Sequence, residues 1–126
     1  MSSPALPLQK AVYEAVKGLG YVVYDNLPDN PTFPYVLLGD DPLVAYHTKT
    51  NAQYIAYCSL HVFSNYKGTK QAKEIMDNLM GAIEAIQLDT GWSIGHRQLF
   101  NYRIMGDTVP TVTHGYVQYQ LNITQI

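Results

Sequence analysis

The end of the chain alternates without interruption: Val117, Tyr119, Leu121 and Ile123 are large and apolar, while Gln118, Gln120, Asn122 and Thr124 between them are polar and uncharged. Strand side chains point to opposite faces with a period of two, so this stretch demands a sheet with one covered and one open face. Two other segments have the pattern needed to supply the cover. Leu8, Ala11, Val12, Ala15 and Val16 recur at the spacing of one helix face over 7–17, and Ala72, Ile75, Met76, Leu79, Ile83 and Ile86 do so over 69–86. Pro4 or Pro7 suits the first turn of the first helix, where a missing N–H costs nothing, and Gly18 and Gly20 end it. Thr69 is placed to cap the second helix by accepting a hydrogen bond from an N–H two or three residues on. Gly81 inside that helix costs about 1 kcal/mol relative to alanine, which the apolar anchors offset. Lys70, Lys73, Glu74, Asp77 and Glu84 are expected to face away from the core.

Short strands are expected at 21–24, 33–39 and 43–47, with a loop at 25–32 and a turn at Asp40, Asp41 and Pro42. The stretch 53–63 reads as a long central strand because both of its faces are partly apolar. Tyr54, Ala56, Cys58, Leu60 and Val62 form one face, and Ile55, Tyr57, Ser59, His61 and Phe63 the other. Two further strands, 93–105 and 113–126, are joined through Gly106, Asp107 and Pro110. The expectation is one domain over 1–126 of the α+β class. It holds a mostly antiparallel sheet of five to six strands with two helices packed on one face, in the order α-β-β-β-β-α-β-β.

Composition narrows the function. Of the 126 residues 47% are hydrophobic and only 14% charged, low for the surface of a lone soluble monomer, so part of the uncharged surface is expected to meet other protein. Eleven tyrosines against one tryptophan agree with that, although the strand preference of tyrosine accounts for them equally well. A net charge of −2 offers no basic footprint for phosphates, and sequence-specific nucleic-acid binding is not expected. With Cys58 the only cysteine, no intrachain disulfide can form. Residues 1–7 carry no basic region followed by an apolar block, and no apolar stretch nears membrane-spanning length. The expectation is synthesis in the cytosol, without export or membrane insertion.

Reactive groups are scarce. Cys58 and His61 point to opposite faces of one strand, and Cys58 reads as a small core residue; only His47, His96 or His114 could approach it in space. No two histidines have the spacing that converges on a metal, so neither metal nor cofactor is expected. Gly18 to Val23 begins like a phosphate loop but leads from a helix into a strand, the reverse of the order that aims helix N–H groups at phosphate, and reads as a helix cap. Asp40 and Asp41 read as turn residues rather than an acid pair, and Lys67, Lys70 and Lys73 as a solvated face balanced by Glu74 and Asp77. Arg97 and Arg103 have the same parity in one strand. They are expected to share a sheet face with Leu99 and Asn101, as rim contacts to a neighbour or as solvated side chains.

Six short segments in order carry a resemblance: Leu8-Gln9-Lys10-Ala11-Val12-Tyr13, Phe33-Pro34-Tyr35-Val36, Thr48-Lys49-Thr50, Leu60-His61-Val62-Phe63-Ser64, Gly68-Thr69-Lys70-Gln71-Ala72 and His114-Gly115-Tyr116-Val117. Across almost its whole length the chain resembles the tail-completion family of siphophages and prophages, which includes head-to-tail joining proteins related in fold to the lambda-type tail terminator. The resemblance implies a tail-terminator-like fold and a structural, non-enzymatic role in the virion, at the head-proximal end of the tail, with assembly in the host cytoplasm. Six copies would form a ring on the last ring of major tail tube protein, stop its polymerisation and dock the head-tail connector, with DNA passing through the lumen. The subunit would be free to stay monomeric until it meets the tail. Interface residues expected on this basis are Asp40 and Asp41, Lys49 and Thr50, and Asp107 and Thr108 in loops, with Arg97, Arg103, Gln118 and Gln120 on the open sheet face. The alternatives are a stopper or adaptor of the connector, and a small-molecule enzyme with a pocket between the second helix and the sheet.

Overall fold

A computed structural model describes residues 3–39, 41–48, 51–89, 91–106 and 109–126. Helix α1 (Ala5–Gly18) is followed by strands β1 (Val22–Tyr24), β2 (Tyr35–Leu38), β3 (Leu43–Ala45) and β4 (Gln53–Ser64), helix α2 (Lys70–Ala85), and strands β5 (Trp92–Gly106) and β6 (Thr113–Gln125). The α+β class and the element order match the sequence-based expectation. The sheet runs β1-β2-β4-β6-β5, with β3 pairing β4 beside β2. Every pair is antiparallel except β1 with β2, whose strands are so short that 25–34 suffices to return the chain.

The alternating C-terminal segment is β6, and it lies inside the sheet between β4 and β5. Its Val117, Tyr119, Leu121 and Ile123 are buried under the helices together with Leu60 and Val62 of β4. From above, α1 contributes Leu8, Val12 and Val16, and α2 contributes Ala72, Ile75, Met76, Leu79 and Ile83. Each large apolar side chain so buried contributes about 1.5–3 kcal/mol relative to exposure. Where α2 presses closest, β6 has no side chain: a Cβ on Gly115 would lie 2.5 Å from Met76 Sδ.

Pro4 occupies the N-cap of α1, and the chain leaves that helix through Gly20 at φ 92°, a conformation glycine adopts without steric penalty. Thr69 sits at the N-cap of α2 as expected, but its hydroxyl makes no capping bond. Its backbone is helical (φ −101°, ψ −3°) rather than extended, so the hydroxyl is not aimed at the exposed N–H groups, and the first turn closes through Lys73 N–H to Thr69 O at 3.0 Å.

Polar contacts fasten α2 to the sheet. Arg97 Nη1 donates to Ile83 O at 2.8 Å, Tyr102 OH to Asp77 Oδ1 at 2.8 Å, and Tyr119 OH to Glu84 Oε2 at 3.2 Å. Asp77 and Glu84 are thus exposed, as expected, yet they lean onto the sheet instead of pointing away from it. Burial, reinforced by the charge of Glu84, pushes the Tyr119 phenol up to about 12.

Two glycines separate packing from helix propensity. Replacing Gly115 by valine overfills the contact with Met76 and is expected to lower unfolding free energy by about 1–3 kcal/mol. Gly81→Ala, on an exposed helix position with open space around it, is expected to raise it by about 1 kcal/mol. Urea midpoints of the two variants should therefore move in opposite directions.

Candidate assembly interface

The face of the sheet turned away from the helices is built mainly by β2, β4 and β6. The pairing of Phe63 with His114 and of His61 with Tyr116 places four ring-bearing residues together there. A row of rings follows. Tyr24 meets Tyr35 edge-on with centroids 5.5 Å apart, Tyr35 stacks on Phe63 at 4.9 Å, and Phe63 stacks on His114 at 4.3 Å. His61 Nδ1 lies 2.8 Å from His114 Nε2, and its ring packs 4.9 Å from that of Tyr116. The guanidinium of Arg103 completes the row 5.8 Å from the Tyr116 centroid. Side chains from β1, β2, β4, β6 and β5 are linked in this way across the full width of the sheet. Sequence reasoning missed the row; its signal was the i, i+2 spacing of His61 with Phe63 and of His114 with Tyr116, which acquires meaning only once the two strands are in register.

Asp41 braces the same face. Between the stretches of β4 paired with β2 and with β3, its carboxylate accepts from Ser59 N and from Ser59 Oγ, both at 2.6 Å, standing in for a backbone carbonyl of the missing strand. Ser59 Oγ lies 3.0 Å from Tyr116 OH, which ties this brace to the ring row. Gly39 must come close for this to work: a Cβ there would stand 2.8 Å from Ser59 Cβ. The carboxylate of Asp41 is therefore engaged within the fold.

Of the other expected interface residues, Gln118 and Gln120 lie on the open face, where Gln118 accepts from Asn101 Nδ2 at 3.1 Å and Gln120 is paired with Tyr57 and Gln98. Asp40, Lys49, Thr50, Asp107 and Thr108 fall outside the described residues. The arginine pair requires a correction, because Arg97 and Arg103 do not share a face. Register shifts in β5 between Ile94 and Arg97 and between Leu99 and Asn101 each insert an extra residue, and the second inverts the alternation. Arg97 and Leu99 stand opposite Leu121 and Tyr119 on the helix side, while Asn101 and Arg103 stand opposite Gln118 and Tyr116 on the open side. Arg97 serves the C-terminal carbonyls of α2, where backbone acceptors lack helical partners, and Arg103 remains exposed.

Cys58 is buried on the helix side, opposite in direction to His61, and burial with the charge of Asp41 behind it pushes its thiol up to about 12, far from a reactive thiolate. A cavity of about 200 Å³ lies between α1 and the β2–β4 edge, lined by Leu8, Val12, Leu38, Asp41 and Cys58, a different place from the space between α2 and the sheet that the enzyme alternative would use. Among the described residues no group of three or more His, Cys, Asp or Glu is placed to hold a metal ion, and no helix is long and apolar enough to cross a membrane. The β5 edge, in contrast, exposes Leu99, Phe100 (53% accessible) and Tyr102 side by side.

The open sheet face thus carries amides, rings and the exposed Arg103, and the β5 edge beside it exposes Leu99, Phe100 and Tyr102. Residues 5–123 match the family described as Tail completion protein gp17, and the chain belongs to that family of phage tail structural proteins, components of the virion tail. The fold is similar to that of a chain in the virion of a native gene transfer agent particle, with a TM-score of 0.83, 19% identity and coverage of 98% of this chain and 99% of that one. It is also similar to the gp17 protein of bacteriophage SPP1, with a TM-score of 0.54, 22% identity and coverage of 90% and 86%. No curated protein sequence matches the chain.

The histidine contact carries a pH dependence. At 2.8 Å one ring nitrogen must donate and the other accept, so the pair cannot hold both rings charged without repulsion. Burial first, and then His114, hold His61 below its usual value, with Asp41 opposing. Unfolded His61 takes up its proton near pH ~6.5 and the folded form only at lower pH, so stability is expected to fall as pH drops below about 6.5. Chemical denaturation at pH 7 and pH 5 should show this loss, and His61→Gln should reduce it.

Proposed function

We propose that this protein forms a ring on the head-proximal end of the tail tube, ends tube polymerisation there and presents the surface on which the head-tail connector docks. The observation that carries this reading is the family match over 5–123. The likeness to a virion chain over nearly the whole length, and an open sheet face of amides, rings and one exposed arginine, support it. A cap needs little more: heterologous subunit contacts close when their rotation closes, and a ring whose upper face does not match tube protein ends growth. The role requires no catalysis. The partners proposed are further copies of the chain, the major tail tube protein and the connector, with DNA passing through the lumen without sequence readout. Residues 1–126 form a single tail-completion domain in this reading.

Deleting the reading frame and imaging the particles by electron microscopy tests this. Overlong tails are expected. Free tails of normal length would instead assign the protein to the connector as a stopper or adaptor, and normal particles would overturn both readings.

A further inference from the structure

We propose that copies of this chain meet head to tail through the two edges of the sheet, the β5 edge of one copy seating on the β1 edge of the next. This names the subunit contact of the ring and rests on that reading. Charge is segregated along the chain: 18–48 contains Asp25, Asp29, Asp40 and Asp41 with no lysine or arginine, and 91–106 contains Arg97 and Arg103 with no acid. The fold puts β1, with Asp25 and Asp29 in the loop that follows it, and β5 at opposite ends of one sheet, while Asp41 is held by Ser59 of β4. Asp25 and Asp29, in the loop that leaves β1, and Arg103 on β5 are exposed.

The register aligns them in height. Tyr24, Leu37, His61, Tyr116 and Arg103 are successive partners across the strands, a single rung, and Asp25 is the residue after Tyr24. In a ring whose rotation keeps this rung level, Arg103 of one copy comes opposite Tyr24 of its neighbour and within one residue of Asp25. Both edges are also apolar: Val22 and Leu27 are 37% and 45% accessible on one side, and Leu99 and Tyr102 are 38% and 37% accessible on the other. A symmetric β5 to β5 contact would bring arginine edges together and a β1 to β1 contact would bring acids together, whereas the heterologous contact joins opposite charges over apolar surface. In the helix layer the signs are reversed but again unlike: Asp77, bonded to Tyr102 of β5, and Glu84, bonded to Tyr119 of β6, keep their negative charge at one end, and Lys17, packed over the Tyr13 ring, lies on α1 beside β1 at the other.

The test uses the full chain carrying Arg103→Cys with Asp25→Cys, produced during particle assembly so that it can meet the tail, under mild oxidation; buried Cys58 does not compete. Head-to-tail contact gives a disulfide-linked ladder extending beyond the dimer. Dimers alone, or Arg103→Cys by itself cross-linking as efficiently as the pair, would overturn the proposal. In a second arm, Arg103→Asp and Asp25→Arg should each lower the yield of higher assemblies at least tenfold, and the combined reversal should restore it. A combined variant as defective as either single one would also overturn the proposal. Tail length in the deletion experiment is an independent readout. A failed ladder with overlong tails refutes this edge pairing and leaves the capping role intact.

Discussion

Everything in this structure hangs on the pairing of β4 with β6. Twelve consecutive residue pairs, from Gln53 with Thr124 to Ser64 with Thr113, join segments that lie up to 71 positions apart in the chain. Forming this ladder carries the loop-closure entropy of bringing distant segments together, and the ladder then creates two surfaces at once. On one, Val117, Leu121, Ile123, Leu60 and Val62 make an apolar floor for both helices. On the other, His61, Phe63, His114 and Tyr116 are brought within contact of one another.

The two surfaces are held by different means. The helix side depends on close packing, with Met76 seated over Gly115, and on hydrogen bonds that tie α2 to β5 and β6. The open side depends on ring stacking and on the Asp41 carboxylate, which satisfies Ser59 in the gap between β2 and β3 along that edge of β4. The result is a sheet face whose polar chemistry is amide, phenol, imidazole and one exposed guanidinium. A virion tail component needs such a surface: uncharged enough to desolvate cheaply against another subunit, and featured enough to distinguish one partner from another.

How much of this was legible in the residues differs from element to element. The alternation in 117–124 and the helical stripes through Val12 and Met76 were read directly, because each is a periodicity of neighbouring residues imposed by the geometry of the element they form. Cys58 as a core thiol followed from the same parity. Thr69 was placed correctly but its cap was not, since the cap depends on backbone angles that composition does not specify. Arg97 and Arg103 were assigned to one face because parity assumes an unbroken ladder; Gly95 hints at the first irregularity, but nothing local marks the second, beside Phe100.

By itself, then, the sequence determined which segments are helices and strands, and that one sheet face is covered and the other open. Tertiary structure alone decided which residues share a rung. The ring row, the Asp41 brace, the separation of the two arginines and the shared rung of Arg103 and Tyr24 are all consequences of strand register. Register is a relation between segments distant in the chain, and it is selected by the packing of whole faces against the helices, a quantity that no window of consecutive residues contains.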